Sequence, residues 1–485
     1  MRRRSLLLIG LALVVGLALW MKLVGMEATA RGGALRFDDP DTVRRLVRLR
    51  HLVDPATPYP YRDPADGWRA DPERRGTVLH WTLPMDGVIL ALDPLFAPLH
   101  PAARRFEAGA AWSAPLLGTL AAAAFSALAL RWLDGAAALL ATLLYALSYD
   151  VIVVTGFGDG NHASLEHLSA VGALMGFLAL LSGRGGRGLA VLTGTALGLG
   201  LWVSTETTVV FHAMALGAFA SLVVSPAPRR LELARAHAAW AVAALVVAAI
   251  GDRIEHPGAG MTFEWDTVSG FQLHQLLVFL LFTILAARGR PASLAAAVAL
   301  VAGLLPFALL RAYRAALGAQ FALVAAVNRW TQSEVSEYGR LLSIEGFFVP
   351  NQAWERFSWL VVASPVCLLA VGLDGRRPAA LRAGLAVVAI GLFGLTCYEM
   401  KLGHLFAIVH PVVLVAGGAS LIGGIGARLG EPGRRLASGL VAATAVGAFR
   451  SAGIPLPASR SRGRWRAAAS PAATPAGKTT VRTTS

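Results

Sequence analysis

Residues 5–25, SLLLIGLALVVGLALWMKLVG, form an apolar run that starts directly after the basic residues Arg2, Arg3 and Arg4. About 20 apolar residues are needed to cross the hydrocarbon core of a bilayer, and cytoplasmic flanks carry the excess of Lys and Arg. The run therefore predicts a first membrane span whose basic start lies in the cytoplasm. The segment that follows, RFDDPDTVRRLVRLR at residues 36–50, then lies at the outer face.

The rest of the chain has the same apolar character. Hydrophobic residues make up 55% of the 485 residues and charged residues 15%, which excludes an ordinary soluble protein. The net charge of +15 comes from short basic loops and a basic C-terminal segment, so it does not indicate nucleic-acid binding. We expect an all-α polytopic membrane protein with about 13 transmembrane helices. The spans are predicted near residues 5–25, 111–130, 136–155, 165–182, 188–206, 208–224, 238–251, 271–287, 293–310, 358–373, 380–398, 405–426 and 436–449.

Arginine marks every second loop, as expected of short cytoplasmic loops. These six loops contain Arg131, Arg184, Arg229, Arg288, Arg376 and Arg428. The opposite loops include the two longest, residues 26–110 and 311–356, and they hold the acidic motifs. We therefore expect an active site on the outer, periplasmic side of a plasma membrane of the bacterial inner-membrane type.

Three acidic motifs share that predicted outer face. They are Asp38-Asp39-Pro40-Asp41, the stretch GFGDGNH at residues 156–162 with Asp159, and SEVSE at residues 333–337 with Glu337. Hard cations such as Mg²⁺ and Mn²⁺ take carboxylate oxygen ligands, so the three motifs predict one divalent-metal site.

Ordinary structural roles remain open for the same residues. An Asp before a helix is a common cap, here for a segment whose arginines, residues 44–50, predict a solvated basic face. Gly-Asp-Gly is also common turn chemistry. Glu206 lies between two apolar runs, where an ionisable residue is functional by default unless it sits in a turn at the water interface.

The order and shared sidedness of these motifs resemble the catalytic subunit of oligosaccharyltransferase, a member of the GT-C class of polyprenyl-phosphate-dependent glycosyltransferases. The resemblance covers roughly residues 1–425 and implies a GT-C-like catalytic domain over residues 1–449. It implies that Asp39, or its neighbours Asp38 and Asp41, faces the acceptor.

The resemblance also implies ligands for the metal and the substrate phosphate. Asp159 and Glu337 would hold the divalent ion, and Asn161 and His162 stand where the family usually has a further acidic residue. In the family, an arginine near the outer start of the twelfth span contacts the lipid-linked phosphate. Lys401 and His404 stand near that position and would contact the phosphate here.

One departure concerns the acceptor. No Trp-Trp pair occurs in the chain, whereas the family carries a Trp-Trp-Asp motif in an outer domain. Residues 450–485 are rich in Pro, Ala, Ser and Thr, a composition that predicts a disordered basic tail. We therefore expect a lipid, glycan or other hydroxyl acceptor instead of an Asn-x-Ser/Thr peptide.

The sequence thus predicts a membrane glycosyltransferase that moves a sugar or glycan from a polyprenyl-(pyro)phosphate carrier to an acceptor at the outer face. Its expected partners are that lipid-linked donor and membrane lipids, with no nucleic acid. The alternative is a transporter or flippase for a lipid-linked glycan. Such a protein would carry ionisable residues deep within its spans and inverted repeats.

Overall fold

A computed structural model describes residues 2–23, 39–53, 82–101, 103–104, 106–256, 268–309, 360–398 and 402–425, with single positions 26, 35, 37 and 430. The elements within these ranges are helices, and no strand is present among them. The helices are α1 Arg2–Leu23, α2 Pro40–Val53, α3 Leu83–Phe96, α4 Glu107–Ala129, α5 Gly135–Ala146, α6 Tyr149–Val154, α7 Ala163–Leu181, α8 Arg187–Val203, α9 Thr207–Val224, α10 Ala227–Glu255, α11 Gly270–Ala287, α12 Ala292–Leu309, α13 Leu360–Leu373, α14 Ala379–Tyr398 and α15 Gly403–Ile425.

Seven of these helices, α4, α7, α9, α10, α11, α14 and α15, are long and apolar enough to cross a membrane. Shorter apolar helices account for five further predicted spans, in α1, α5, α8, α12 and α13. The prediction of an all-α polytopic membrane protein is confirmed. The predicted span 436–449, the loop 311–356 and the tail 450–485 lie outside the described residues.

One predicted span is not a single helix. The run 136–155 divides into α5 and α6, because Ser148 adopts an extended backbone conformation between them. The Ser148 carbonyl then accepts the first helical hydrogen bond of α6, from the Ile152 N–H at 3.0 Å. Serine is a common residue at such a helix start, since its side chain competes with the helical backbone for hydrogen bonds.

Helix α7 lies at the centre of the bundle, with 89% of its most apolar window buried. It packs against α4 and α8, and α8 in turn packs closely on α10. A Cβ atom added at Gly198 would lie 2.6 Å from the carbonyl oxygen of Ala244, so only glycine permits this approach of the two helices. Small residues at helix contacts are typical of membrane proteins, where close van der Waals packing drives association.

The loops gather on two opposite faces of the bundle. On one face, called the arginine face, the Arg184 guanidinium donates to the Arg131 carbonyl at 3.3 Å and that of Arg229 donates to the Leu180 carbonyl at 3.2 Å. The other face, called the motif face, carries Asp39 and residues 156–162, together with the starts of α7, α9 and α15.

The first long loop docks onto the motif face through buried charges. Arg45 Nη1 lies 2.6 Å from Asp86 Oδ1 and Arg48 Nη2 lies 2.8 Å from Asp86 Oδ2, with all three side chains at most 3% exposed. The solvated basic face predicted for residues 44–50 is therefore wrong for Arg45 and Arg48. Their partner stands about forty residues further along the chain, in α3, and no local pattern shows it.

Further hydrogen bonds fix α3 in place. The Thr82 hydroxyl donates to the Val203 carbonyl at 3.0 Å, at the end of α8. Glu255, the last residue of α10, accepts bonds from the Leu83 N–H at 2.8 Å and from the Trp202 indole at 2.7 Å. Helix α3 is thus tied to the ends of two spans, which fixes its position on the motif face.

Candidate functional site

Asp39 stands at the start of α2 and accepts three hydrogen bonds. Its Oδ1 accepts from the Asp41 N–H at 3.2 Å, and its Oδ2 accepts from the Thr42 N–H at 2.9 Å and the Thr42 hydroxyl at 2.7 Å. This is the capping arrangement expected of Asp before a helix, with Pro40 as the first helical residue. The three donors hold the carboxylate in one orientation on the motif face.

Thr42 joins the first and second acidic motifs. Its hydroxyl oxygen accepts a hydrogen bond from the Gly160 N–H at 2.9 Å while it donates to Asp39. A Cβ atom added at Gly160 would lie 2.8 Å from Thr42 Cγ2 and 3.0 Å from Ala110 Cβ. Only glycine fits between these side chains, so the two motifs pack directly together although 118 positions separate them.

The second motif is a tight turn held on two further sides. The Phe157 N–H donates to the Lys22 carbonyl at 3.0 Å and the Gly158 N–H donates to the Ala111 carbonyl at 3.1 Å. Gly158 has a φ of 87°, a conformation that favours glycine. The turn is therefore anchored to the end of α1 and the first turns of α4.

Within the turn, side chains accept bonds from the backbone that follows. Asp159 Oδ1 accepts from the Asn161 N–H at 3.1 Å, and Asn161 Oδ1 accepts from the His162 N–H at 2.6 Å. His162 then precedes α7, and its carbonyl accepts the first helical bond from Glu166 at 3.0 Å. The alternative interpretation of Asp159 as a turn residue is thus confirmed.

A second group of polar side chains lies on this face. Glu166 in α7, Glu206 at the start of α9 and His404 in α15 each offer one ligand atom, and these three atoms lie within 4.8 Å of one another. Glu166 and His404 are buried and Glu206 is half-buried. Three helices distant in sequence therefore place two carboxylates and one imidazole together.

Aromatic side chains support this group from behind. The His167 ring lies 5.8 Å from that of His404 between centroids, and its Nε2 forms a 2.7 Å hydrogen bond with the Tyr145 hydroxyl. Tyr145 in turn stacks on Phe125 at 4.4 Å. All of these side chains except His404 are fully buried. The imidazole of His404 therefore packs against rings that are themselves fixed by their surroundings.

The predicted site residues divide into those the structure places and those it does not. Asp39, Asp41, Asp159, Asn161, His162 and His404 are all on the motif face, whereas Asp38, Glu337 and Lys401 lie outside the described residues. Among the residues that are described, the three ligand atoms that approach within 4.8 Å are those of Glu166, Glu206 and His404. The metal assignment to Asp159, Asn161, His162 and Glu337 stays a prediction.

Glu166 belongs to this group but was not predicted from the sequence. It stands in the first turn of α7, inside a run that otherwise reads as a plain apolar span. An ionisable residue at a membrane span is a functional candidate by default. The same rule that selected Glu206 also selects Glu166.

No protein-family model matches this chain, and no curated protein matches it. The solved structures give a different result. One is the archaeal oligosaccharyltransferase AglB from Archaeoglobus fulgidus in complex with an inhibitory peptide and a dolichol-phosphate, with a TM-score of 0.69, 17% identity and 94% of this chain covered. The chain shares the oligosaccharyltransferase fold.

Two further structures of the Archaeoglobus fulgidus oligosaccharyltransferase agree, both at 17% identity. One is tethered to an acceptor peptide containing the NVT sequon (TM-score 0.65, 93% of this chain covered) and one is a complex with Zn and sulfate (TM-score 0.59, 91% covered). This chain spans about half the length of these proteins, 55% of the AglB chain. The resemblance predicted from the motifs is confirmed at the level of the GT-C fold.

Proposed function

We propose that this protein is a membrane glycosyltransferase that moves a sugar or short glycan from a polyprenyl-phosphate or -pyrophosphate carrier onto an acceptor. The observation that carries the proposal is the hydrogen bond of Thr42 to both Asp39 and the Gly160 backbone. These bonds join the two acidic motifs that the resemblance assigns to one active site. The chain that contains them has the oligosaccharyltransferase fold.

A lipid-linked donor suits the position of these motifs. The motif face lies at the ends of apolar helices, so a carrier tail can stay in hydrocarbon while its head group reaches Asp39 and residues 156–162. The structural neighbour AglB was solved with a dolichol-phosphate, which is a carrier of this class. The basic start of α1 and the arginine face support an outward, periplasmic orientation of the motif face.

Asp39 is the proposed acceptor-facing residue, with Asp38 and Asp41 beside it in sequence. A nucleophile aimed at the anomeric carbon needs a carboxylate that orients it and takes its proton. The three hydrogen bonds from Asp41 and Thr42 keep the Asp39 carboxylate fixed before substrate binds. Such preorganisation reduces the cost of reaching the reactive geometry.

A divalent ion such as Mg²⁺ or Mn²⁺ is the proposed cofactor, and it would neutralise charge on the leaving phosphate. Asp159 and His162 provide a carboxylate and an imidazole on one tight turn, a donor set that divalent ions accept. Asn161 still has a free lone pair on its amide oxygen after the bond to the His162 N–H. Glu337 would complete this set.

A cation near the leaving phosphate would stabilise its charge further. Lys401, three residues before His404, is the proposed cation. His404 itself lies beside Glu166 and Glu206, and two carboxylates favour a metal ion at this imidazole over direct contact with a phosphate.

The proposal is tested by following the donor. The purified full-length chain, in nanodiscs with Mg²⁺ or Mn²⁺, receives a radiolabelled polyprenyl-linked sugar and either a sequon peptide or a membrane lipid extract. We expect release of polyprenyl phosphate or pyrophosphate, with label appearing in the lipid or glycan fraction.

Each other outcome has a definite meaning. A transporter would leave the donor chemically intact in both reactions, and that result would overturn the proposal. Label on the peptide that requires its Ser or Thr would confirm glycosyl transfer and show the expected acceptor class to be wrong.

A further inference from the structure

Glu166, Glu206 and His404 come from three separate helices of the bundle. Glu166 is in the first turn of α7, Glu206 is the residue before α9, and His404 is the second residue of α15. One ligand atom of each lies within 4.8 Å of the other two. The fold therefore builds a three-residue group at one point on the motif face from positions that no local sequence pattern connects.

The electrostatics of this group favour a bound cation. Two carboxylates this close repel each other, and burial strengthens the repulsion because little water screens it. Glu166 is fully buried and Glu206 is half-buried. A divalent ion between the carboxylates turns the repulsion into attraction and uses the imidazole nitrogen as a third ligand.

The geometry fits such an ion. Metal–oxygen and metal–nitrogen bonds of roughly 2.0–2.2 Å place the ligand atoms of a tetrahedral ion about 3.4 Å apart. The three atoms, at most 4.8 Å apart, reach such distances by side-chain rotations of about an ångström or more. A site with three protein ligands also leaves coordination positions open for water or an anionic oxygen.

The surroundings orient the ligands. Thr207 Oγ1 lies 3.5 Å from Glu166 Oε1, and the His167 ring packs beside His404 and is itself fixed by Tyr145. Outer contacts of this kind set the orientation of metal ligands. Glu206, in the short turn between α8 and α9, is the more accessible member and gives an ion its route to the buried pair.

We propose that Glu166, Glu206 and His404 form a binding site for a divalent transition metal of the Zn²⁺ and Mn²⁺ class, built from residues other than Asp159 and its neighbours. The imidazole decides the class of metal, because nitrogen ligands suit Zn²⁺ and other transition ions better than Mg²⁺. The site does not depend on glycosyl transfer, and its test reads metal binding alone.

The first measurement is Mn²⁺ binding to the chelator-stripped full-length protein, by electron paramagnetic resonance of the free ion, with Zn²⁺ and Mg²⁺ as competitors. We expect Zn²⁺ to displace Mn²⁺ from this site and equimolar Mg²⁺ not to. Glu166→Gln and Glu206→Gln should each weaken binding at this site at least about tenfold. Glu107→Gln, a carboxylate on the same face that pairs with Arg50, is the matched control and should bind like the wild type.

The second measurement identifies the nitrogen ligand. Pulsed electron paramagnetic resonance of bound Mn²⁺ should show ¹⁴N coupling in the wild type and in His162→Gln, and the double variant His162→Gln/His404→Gln should lose it. The His162→Gln variant keeps all three proposed ligands. Its spectrum therefore tests the proposal even if variants of the ligands themselves do not fold.

Three results would overturn the proposal. They are the absence of ¹⁴N coupling in His162→Gln, Mn²⁺ affinity in Glu166→Gln equal to that of the wild type, and equal competition by Mg²⁺ and Zn²⁺. The first result would leave a buried acid–histidine group without metal, and the last would indicate an all-oxygen site elsewhere.

Discussion

The two faces of the bundle use charged residues in opposite ways. On the arginine face, Asp374 Oδ1 lies 2.8 Å from Arg376 Nε, and its Oδ2 accepts from the Ser420 hydroxyl at 2.7 Å. The Arg376 guanidinium holds the pKa of the Asp374 carboxyl well below its usual range. On the motif face, Glu166 and Glu206 instead approach each other.

This difference separates structural charges from functional ones. A guanidinium neutralises the charge of the carboxylate that it pairs with. Such a carboxylate can hold two loops together, but it binds a ligand poorly. Carboxylates gathered together repel each other, and a cation that binds between them relieves this repulsion. The motif face also contains matched charges, the Arg45–Asp86–Arg48 triad, and these anchor the loop that carries Asp39.

The largest contrast between the faces is their expected side of the membrane. Single cysteines at Arg104 on the motif face and Gly186 on the arginine face are exposed positions, and the native Cys367 and Cys397 are buried. An impermeant thiol reagent applied to intact cells should label Arg104→Cys and not Gly186→Cys. The reverse pattern would place the motif face in the cytoplasm.

Breaking the buried triad should have the largest effect on stability. Asp86→Asn leaves Arg45 and Arg48 buried without their carboxylate, which costs about 3–5 kcal/mol in comparable buried pairs. The free energy of unfolding in detergent, followed by tryptophan fluorescence, measures the loss.

Glu107→Gln is the matched control for Asp86→Asn. Glu107 lies 3.0 Å from Arg50, whose side chain is 35% exposed, so the change should cost about 1 kcal/mol or less. Equal losses of unfolding free energy in the two variants would show that the buried triad stabilises the fold no more than the more exposed Glu107–Arg50 pair does.

The link between the motifs is tested at Thr42. Thr42→Val keeps the shape of the side chain but removes the hydroxyl that contacts Asp39 and Gly160. We expect donor turnover to fall about 10–100-fold because both motifs lose their shared anchor, with stability lower by only about 1 kcal/mol. Thr119→Val, whose hydroxyl bonds to the Pro115 carbonyl within α4, should keep full turnover. Unchanged turnover in Thr42→Val would show that the motifs work independently.

The sequence predicts most of the fold because membrane spans are local in sequence. Apolar length alone placed α4, α7 and α15 within a few residues of their observed bounds. It did not predict the division of run 136–155, since a single Ser148 conformation decides it and the apolar pattern continues through it.

The site was predictable in part. The convergence of Asp39 with residues 156–162 followed from the order and sidedness of the motifs, and the structure brings them together through Thr42. Glu166 and His404 lie more than 200 positions apart in the sequence. No sequence pattern connects them. The two residues could be flagged singly as ionisable residues at spans, but their proximity is a property of the fold.

The smallest expected effect is at Asp374. The low pKa of Asp374 in the folded chain stabilises the fold at pH values above the ordinary 3.8, and this contribution is lost as pH falls through the folded value. Because Arg376 is 66% exposed, Asp374→Asn should cost about 1 kcal/mol or less at pH 7. The difference in unfolding free energy from the wild type should shrink below about pH 4. A difference that grows in acid would contradict this account.

The rate of polyprenyl phosphate or pyrophosphate release from a radiolabelled lipid-linked sugar, compared between variants of the two faces, tests the central claim most directly. We expect Asp39→Asn and Asp159→Asn to lower the rate at least about 100-fold and Asp374→Asn to leave it within twofold of the wild type. Wild-type rates in Asp39→Asn and Asp159→Asn, in protein that is folded and monodisperse, would contradict the assignment of the active site to the motif face.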